Sequence, residues 1–551
     1  MQQSPNPPPM PGRAIVKGAF VLGAAAVVSK LLGTMQKIPL QNVAGDSVFG
    51  IYNAVYPLYT LILFLATAGF PVAVSRFVAE ESARGSARGA RGVLRMALVL
   101  SAATGLACFI LLYFGAGMLA SWIGDRQTEA ALRSVSFALF FVPLMATLRG
   151  YFQGLGDMAP TGVSQVAEQL IRVAVMVVLL IILAQAGAPD ADIAAGATLG
   201  SAAGALAGLL VMCGYWISHR KKEGRRQTDD SDTRRTGSAE RVGYRRFVAY
   251  ALPICLGSIV LPMLTLADTF TVPRLLMQSG LSNAEAMARF GLYNHGLPLV
   301  QLVAMIVSSM SVALVPAISE ARARGALAEV RGSASASLRL TWLIGLAASA
   351  GMAVTAIPLN VMFYKDAAGY VTMMILACTT VFSVVQIVSG AILQGMGAER
   401  ATAYHLLAAA AIKVGLNLWL VPRWGIEGAA VSAVAAYAAA AGLNLLRLSR
   451  IRLISLSWRD YAVKPLLSTA VMAIVTAAVL FAVDRILLHA LPEFSYRGRQ
   501  TVVALVSVMC GASVFGVMLF RTGAVSANEL AAVPKLGAKL LPVLRKWRIL
   551  Q

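Results

Sequence analysis

Four ionisable side chains, Lys30, Glu168, Arg172 and Lys413, stand inside stretches that otherwise read as long apolar helices. A charge at the centre of a membrane helix costs roughly 2.5–3.5 kcal/mol on insertion scales, so each needs a reason to be there. Three cations against one carboxylate suit an anionic substrate such as a phosphate or pyrophosphate head group. Glu168 precedes Arg172 by one helical turn, the spacing of an ion pair. Arg172 and Lys413 carry a second reading of equal weight, holding helices together through Glu168 or backbone carbonyls. A further set, Asp268, Arg274 and His295, falls near the outer ends of two later helices. Arg274 and His295 join the candidate substrate contacts, although His295 fits a structural hydrogen bonder better than a proton relay. Asp268 and Glu168 are candidates for ion coupling or for structural pairing. Lys17 and Arg149 lie near helix ends and are expected to snorkel to the interface. No catalytic set accompanies these residues: the chain has no metal-binding DxD, no Ser/His/Asp arrangement and no G-x-x-x-x-G-K-[ST] loop. Cys108, Cys213, Cys255, Cys378 and Cys510 lack ligand-like spacing and read as small apolar fillers, so neither a metal site nor an enzyme is expected.

The elements that must carry these charges are membrane spans. The 551 residues are 58% hydrophobic and only 13% charged, where soluble domains carry roughly 25% charged residues. Mean hydropathy is +0.72. Apolar runs long enough to cross a bilayer core recur along the chain. They predict an all-α polytopic protein of about fourteen spans: 14–36, 48–72, 93–115, 131–153, 160–186, 192–217, 247–271, 291–317, 338–362, 369–394, 402–421, 425–447, 464–486 and 500–521. The eleventh, "TAYHLLAAAAIKVGLNLWLV", is the least apolar because it contains His405 and Lys413.

Loops after even-numbered spans are rich in arginine, as at Arg76, Arg84, Arg88, Arg91 and Arg95, whereas loops after odd-numbered spans are sparse in it. The positive-inside bias places both termini in the cytoplasm of a bacterial cell. The net charge of +22 then faces anionic lipid at the cytoplasmic surface, and no motif supports a nucleic-acid partner. Residues 1–13 read as a disordered leader, and 522–551 as a cytoplasmic tail with an amphipathic helix.

A repeat organises the spans. "FGIYNAVYPLY" at 49–59 returns as "FGLYNHGLPLV" at 290–300, and "QGLGDMAPTGVSQVAEQLIRV" from 153 returns as "QGMGAERATAYHLLAAAAIKV" from 394. Both pairs stand 241 residues apart, and Arg172 answers to Lys413. Spans two to five thus recur as eight to eleven, an even shift that preserves orientation. Two parallel six-span lobes, 14–217 and 247–449, are expected about a pseudo-two-fold axis along the membrane normal. A basic linker, 218–246, joins them, and two further spans occupy 450–521. The Gly-rich run "GATLGSAAGALAG" reads as close helix packing.

Two parallel lobes are a transporter plan. "SKLLGTMQKIPLQNVAGDSVFGIYNAVYPLY", "TAGFPVAVSRFVAE", "RGYFQGLGDMAPTGVSQVAEQLIRV", "LADTFTVPRLL" and "LVPAISEA" resemble the polysaccharide-biosynthesis branch of the multidrug/oligosaccharidyl-lipid/polysaccharide exporter superfamily, most of all the group containing SpoVB and YtgP, related to the lipid II flippase MurJ. The resemblance implies flipping of an undecaprenyl-pyrophosphate-linked sugar, foremost lipid II, from inner to outer leaflet by alternating access. Another lipid-linked precursor, or an ion-coupled drug exporter, are the alternatives. MurJ-type proteins carry basic residues on helices one, two and eight. Their S-R-x-L-G pattern matches Ser29, Lys30, Leu31, Leu32 and Gly33, which gives Lys30 a substrate-binding role. The next basic position falls on Gln36, with Lys37 one step on. "YNAVYPLYTLI" has no match for the helix-two arginine, and the helix-eight one falls near His295. No resident cofactor is expected; energy is left to a coupling ion or the membrane potential, and the chain is expected to act as a monomer.

Overall fold

The computed structural model describes residues 11–67, 69–229, 243–260, 262–454 and 462–524, and no strand occurs among them. In chain order the helices are α1 (Pro11–Met35), α2 (Lys37–Thr67), α3 (Gly69–Ala83), α4 (Ala87–Ile123), α5 (Thr128–Ser136), α6 (Ala138–Gly154), α7 (Ala159–Gln185), α8 (Asp190–Asp229), α9 (Tyr244–Ile259), α10 (Met263–Gln278), α11 (Asn283–Tyr293), α12 (Leu297–Ala323), α13 (Leu327–Val354), α14 (Ala356–Tyr364), α15 (Tyr370–Ala377), α16 (Thr379–Gly395), α17 (Glu399–Arg450), α18 (Lys464–Ala490) and α19 (Tyr496–Arg521). The fourteen expected spans all fall on these helices, several built from two consecutive pieces. Gly45 (φ 79°, ψ −179°) turns the chain between the first two spans, and Gly425 (φ 59°, ψ −136°) turns it within α17 between the eleventh and twelfth. Both conformations are accessible to glycine and costly for other residues. Of the expected leader, linker and tail, residues 1–10, 230–242 and 525–551 lie outside the described residues.

The repeat is structural as well as sequential. After α6, Gly156 N donates to Gln153 O (3.0 Å) and Asp157 N to Phe152 O (3.0 Å); after α16, Gly397 N donates to Gln394 O and Ala398 N to Leu393 O, both at 2.8 Å. These are matching Schellman turns. Asn53 and Asn294 each donate a side-chain N–H to the carbonyl four residues back, Phe49 and Phe290, at 2.7 Å. The correspondence reaches a loop with little sequence likeness: Asp125 accepts from Gln127 N (3.0 Å) as Asp366 accepts from Ala368 N (2.8 Å). One difference stands out. The helix through Asn53 continues, whereas α11 ends at Tyr293 and α12 starts at Leu297.

The described chain forms two compact units, the first holding α1–α10 and the opening turns of α11, the second the remainder. The expected lobe boundary at 218–246 therefore differs from the packing boundary: α9 and α10, assigned from sequence to the second lobe, pack in the first unit. Phe247 of α9 meets Phe70 and Phe77 with ring centroids 5.9 Å apart in each case. Gly69 N donates to Cys255 Sγ at 3.1 Å, and a Cβ on Gly69 would stand 2.1 Å from Ala251 O. A glycine lets the helix backbones meet and the phenylalanines zip the contact; the repeat in sequence carries no record of it. In the second unit, Arg497 of α19 donates from Nε (3.2 Å) and Nη2 (3.0 Å) to Met362 O near the end of α14. That supplies a partner to one of the orphan carbonyls of a helix C-terminus and ties the last helix pair to the core.

Candidate functional site

The charged cluster of the first unit begins with backbone proximity. Gly196, Gly200, Gly204 and Gly208 repeat every four residues along α8. A Cβ on Gly200 would lie 2.7 Å from Arg172 O, and one on Gly204 would lie 2.5 Å from Glu168 O. The glycine run thus seats α8 directly on the backbone of α7, as its spacing predicts.

Glu168 lies between two arginines. Its Oε1 is 2.9 Å from Arg172 Nη2 and its Oε2 is 2.9 Å from Arg149 Nη2, and all three side chains are at most 14% exposed. Arg149 also donates to Ser164 Oγ (2.8 Å), which passes a hydrogen bond to Gly208 O (3.0 Å). Arg149 therefore does not snorkel to the interface: a carboxylate and a hydroxyl inside the unit receive it. Two guanidinium groups on one carboxylate leave a buried net charge of plus one, held by charge-assisted hydrogen bonds.

A tyrosine stripe adjoins this cluster. Tyr52, Tyr56 and Tyr59 follow one face of α2 at helical spacing. Tyr52 and Tyr56 stack at 5.6 Å, Tyr56 and Tyr59 lie 6.0 Å apart, and all three stand within electrostatic reach of Arg172. Gln36 donates to the Tyr52 hydroxyl (3.2 Å), and Lys37 Nζ to Asn53 Oδ1 (3.2 Å), across the turn at Gly45. Gln169 meets α1 at Gly33, where an added Cβ would stand 3.1 Å from its Nε2. Ser29 Oγ, Gln36 Oε1, the Tyr59 hydroxyl, Gln165 Oε1, Gln169 Nε2 and Arg172 Nε are buried without a hydrogen-bond partner among the described residues. Donors and acceptors in such number beside a net positive charge and aromatic faces can receive a polyhydroxylated, phosphorylated ligand. The sequence reading missed the tyrosines and glutamines, although "YNAVYPLY" carried the helical spacing of the tyrosines.

The second unit arranges the equivalent positions otherwise. Lys413 is buried on α17, one turn from the buried Asn417. At 241 residues' displacement, Glu168 corresponds to Ala409, Arg149 to Gly390 and Ser164 to His405. His405 Nδ1 lies 2.7 Å from Asn444 Oδ1, and Asn444 Nδ2 donates to Ser389 Oγ at 3.1 Å. A histidine–asparagine–serine network thus occupies the place of the ion triad. His295 is fully buried, 3.0 Å from Asn360 Oδ1 through Nδ1 and stacked on Tyr364 at 3.9 Å.

The remaining sequence candidates are dispersed. Lys30 is exposed on α1. Asp268 is buried and Arg274 exposed on α10, both in the first unit, while His295 belongs to the second. Arg172, Glu168 and the tyrosines form one cluster, and Lys37 bonds to the stripe's own helix.

Comparison with known proteins agrees with this architecture. A family described as polysaccharide biosynthesis protein matches residues 15–322. The chain is 32% identical to the uncharacterized membrane protein YabM of Bacillus subtilis (strain 168), covering 97% of each. It is 26% identical to the lipid II flippase MurJ of the same organism, covering 90% of this chain and 93% of that one. Its fold matches a structure of lipid II flippase MurJ in an inward closed conformation with a TM-score of 0.63 at 13% identity, covering 91% of this chain and 100% of that one. The likeness is to transporters, not to enzymes.

Proposed function

The chain belongs to the polysaccharide biosynthesis protein family, and from that premise we propose that it flips a lipid-linked sugar pyrophosphate across the membrane by alternating access, with lipid II the foremost substrate. One observation carries the reading: the buried Arg149–Glu168–Arg172 triad keeps one positive charge beside three tyrosines and several unpaired amide and hydroxyl groups. A pyrophosphate supplies the counter-charge, and a sugar supplies hydroxyls and faces for the tyrosine rings. A cationic drug fits this cluster poorly. In the proposed orientation both termini are cytoplasmic, so the first span enters the membrane from the face where precursor is made, and Lys30 in its second half is offered to the phosphates of a bound ligand.

Another lipid-linked polysaccharide precursor is the second reading. It is favoured by the stripe Tyr52–Tyr56–Tyr59, which stands in the span where MurJ-type proteins place an arginine.

The test is rescue of cells depleted of their lipid II flippase, with lipid II in the outer leaflet read by a lipid II-binding probe added to intact cells. Growth and outer-leaflet lipid II are expected to return with the wild-type chain. Lys30→Ala should lose both while inserting at a normal level, and Lys30→Arg should keep part of the activity. A well-inserted wild-type chain that leaves lipid II inside rules out lipid II as substrate; full rescue by Lys30→Ala removes Lys30 from the binding set.

A further inference from the structure

The two units differ at a second pair of equivalent places, the ends of the fourth and tenth spans that the orientation assigns to the cytoplasmic face. In the first unit Tyr151 and Phe152 fill that end: His219 meets their rings at 6.2 and 5.9 Å, and Tyr215 meets Phe152 at 6.4 Å. At the repeat's displacement these two aromatics become Ile392 and Leu393. A cavity of about 250 Å³ lies beside Leu393, lined by Arg331 and Arg447 together with Leu327, Met396, Ile451 and Leu453.

The chain holds this cavity open through its turns. After α17, Leu453 N donates to Leu448 O (3.1 Å) and Arg452 N to Ser449 O (2.9 Å), a Schellman turn with Arg452 in the left-handed region at φ 53°. Leu448 and Leu453 pack together in the core beneath, and the turn brings Ile451 and Leu453 to the cavity wall. After α16, the matching turn at Gly397 contributes Met396 and Ala398. The wall therefore joins six apolar side chains to two guanidinium groups, and no carboxylate lines it among the described residues. Among the described residues neither Arg331 nor Arg447 has an ion-pair partner.

We propose that this cavity binds the head group of an anionic glycerophospholipid of the cytoplasmic leaflet, the phosphate between Arg331 and Arg447 and the glycerol against the leucines. The shared chemistry, a phosphate oxyanion, is also that of free phosphate. The apolar part of the wall and the position at the cytoplasmic end of the spans select the lipid. Guanidinium forks match phosphate oxygens in pairs, which a lysine-coated surface does not. The site lies outside the charged cluster of the first unit and does not depend on which precursor is flipped.

The experiment uses the full chain purified in detergent, offered equal amounts of dioleoylphosphatidylglycerol and dioleoylphosphatidylcholine, with retained lipid counted by native mass spectrometry. The wild type should retain phosphatidylglycerol preferentially. Arg331→Gln with Arg447→Gln should lower that retention by about tenfold, and so should Ala398→Phe, which fills the cavity as the first unit does and leaves both arginines in place. Arg88→Gln, an exposed arginine elsewhere, should retain lipid as the wild type does. Equal retention of the two lipids, or unchanged phosphatidylglycerol on the double variant, overturns the proposal. Displacement of the lipid by excess inorganic phosphate overturns the lipid assignment in favour of a soluble oxyanion.

Discussion

The fifth span of the first unit and the eleventh of the second descend from one pattern, yet they treat charge in opposite ways. On α7, Arg172 shares Glu168 with Arg149, three charges tied by contacts of 2.9 Å. On α17, Lys413 keeps the position of Arg172, while Ala409 and Gly390 stand where the carboxylate and the second arginine would be. The neighbouring helix differs in the same sense: Tyr52, Tyr56 and Tyr59 answer to Tyr293, Leu297 and Val300. A duplicated frame thus carries an aromatic, doubly arginine-bearing cluster in one copy, and a lysine beside a histidine–asparagine–serine network in the other. Pseudo-symmetry of backbone does not imply symmetry of site, because backbone packing depends on a few glycines and turns whereas charge is set side chain by side chain.

The largest expected effect comes from removing the carboxylate that makes the first copy tolerable. Glu168→Gln leaves two buried guanidinium groups facing each other, and breaking a buried ion pair from one side costs about 3–5 kcal/mol. The melting temperature of the purified protein should fall clearly, and adding Arg149→Gln should recover part of the loss. An unchanged melting temperature would mean that solvent already screens the triad. The converse substitution, Ala409→Glu, gives the second copy the acid it lacks. On protein that inserts normally, it should lower flipping by about tenfold if the charge of Lys413 serves the substrate; unchanged flipping would assign Lys413 to packing.

Next comes a double-mutant cycle on substrate binding with Arg172→Gln and Lys413→Gln. Each substitution should weaken binding, and the double variant should depart from additivity by more than about 0.5 kcal/mol if both copies act on one ligand. Strict additivity would leave the repeat as a packing device with unrelated charges.

A smaller change tests the backbone beneath the cluster. Gly204→Leu forces a side chain against Glu168 O, 2.5 Å from where its Cβ must lie, and should destabilise the first unit by about 1–3 kcal/mol. The same change at Gly92, which has nothing within 4 Å of an added Cβ, should be nearly silent in the same melting measurement.

The smallest effect separates the two copies of a loop. Asp125 is fully buried, and burial pushes its carboxyl above the usual carboxylate range, against the opposing pull of the Gln127 N–H. The folded chain therefore holds that proton more tightly than the unfolded chain does. Stability should rise as pH falls through the folded-state pKa towards the unfolded value, and decline as pH rises through the same window. Asp125→Asn should flatten this slope in melting curves, while Asp366→Asn, at the exposed equivalent position, should leave it in place.

Length, hydropathy and repetition were enough to determine that fourteen helices cross the membrane in a duplicated plan, because a helix in lipid must be long, apolar and internally hydrogen-bonded whatever its neighbours are. The Glu168–Arg172 contact was also legible, since i,i+4 spacing lies within one helix. What the sequence left undecided joins residues far apart in the chain. Arg149 reads as a helix-end arginine until α6 and α7 meet and Glu168 receives it. Tyr52, Tyr56 and Tyr59 carry no assigned role until α2 packs beside Arg172. The affiliation of α9 with the first unit, through Gly69 and Phe247, has no periodic signature at all. Local geometry follows from the covalent chain, but the partner that neutralises a buried charge, or the helix that covers a glycine, comes from elsewhere in the chain, and only the tertiary structure decides which one it is.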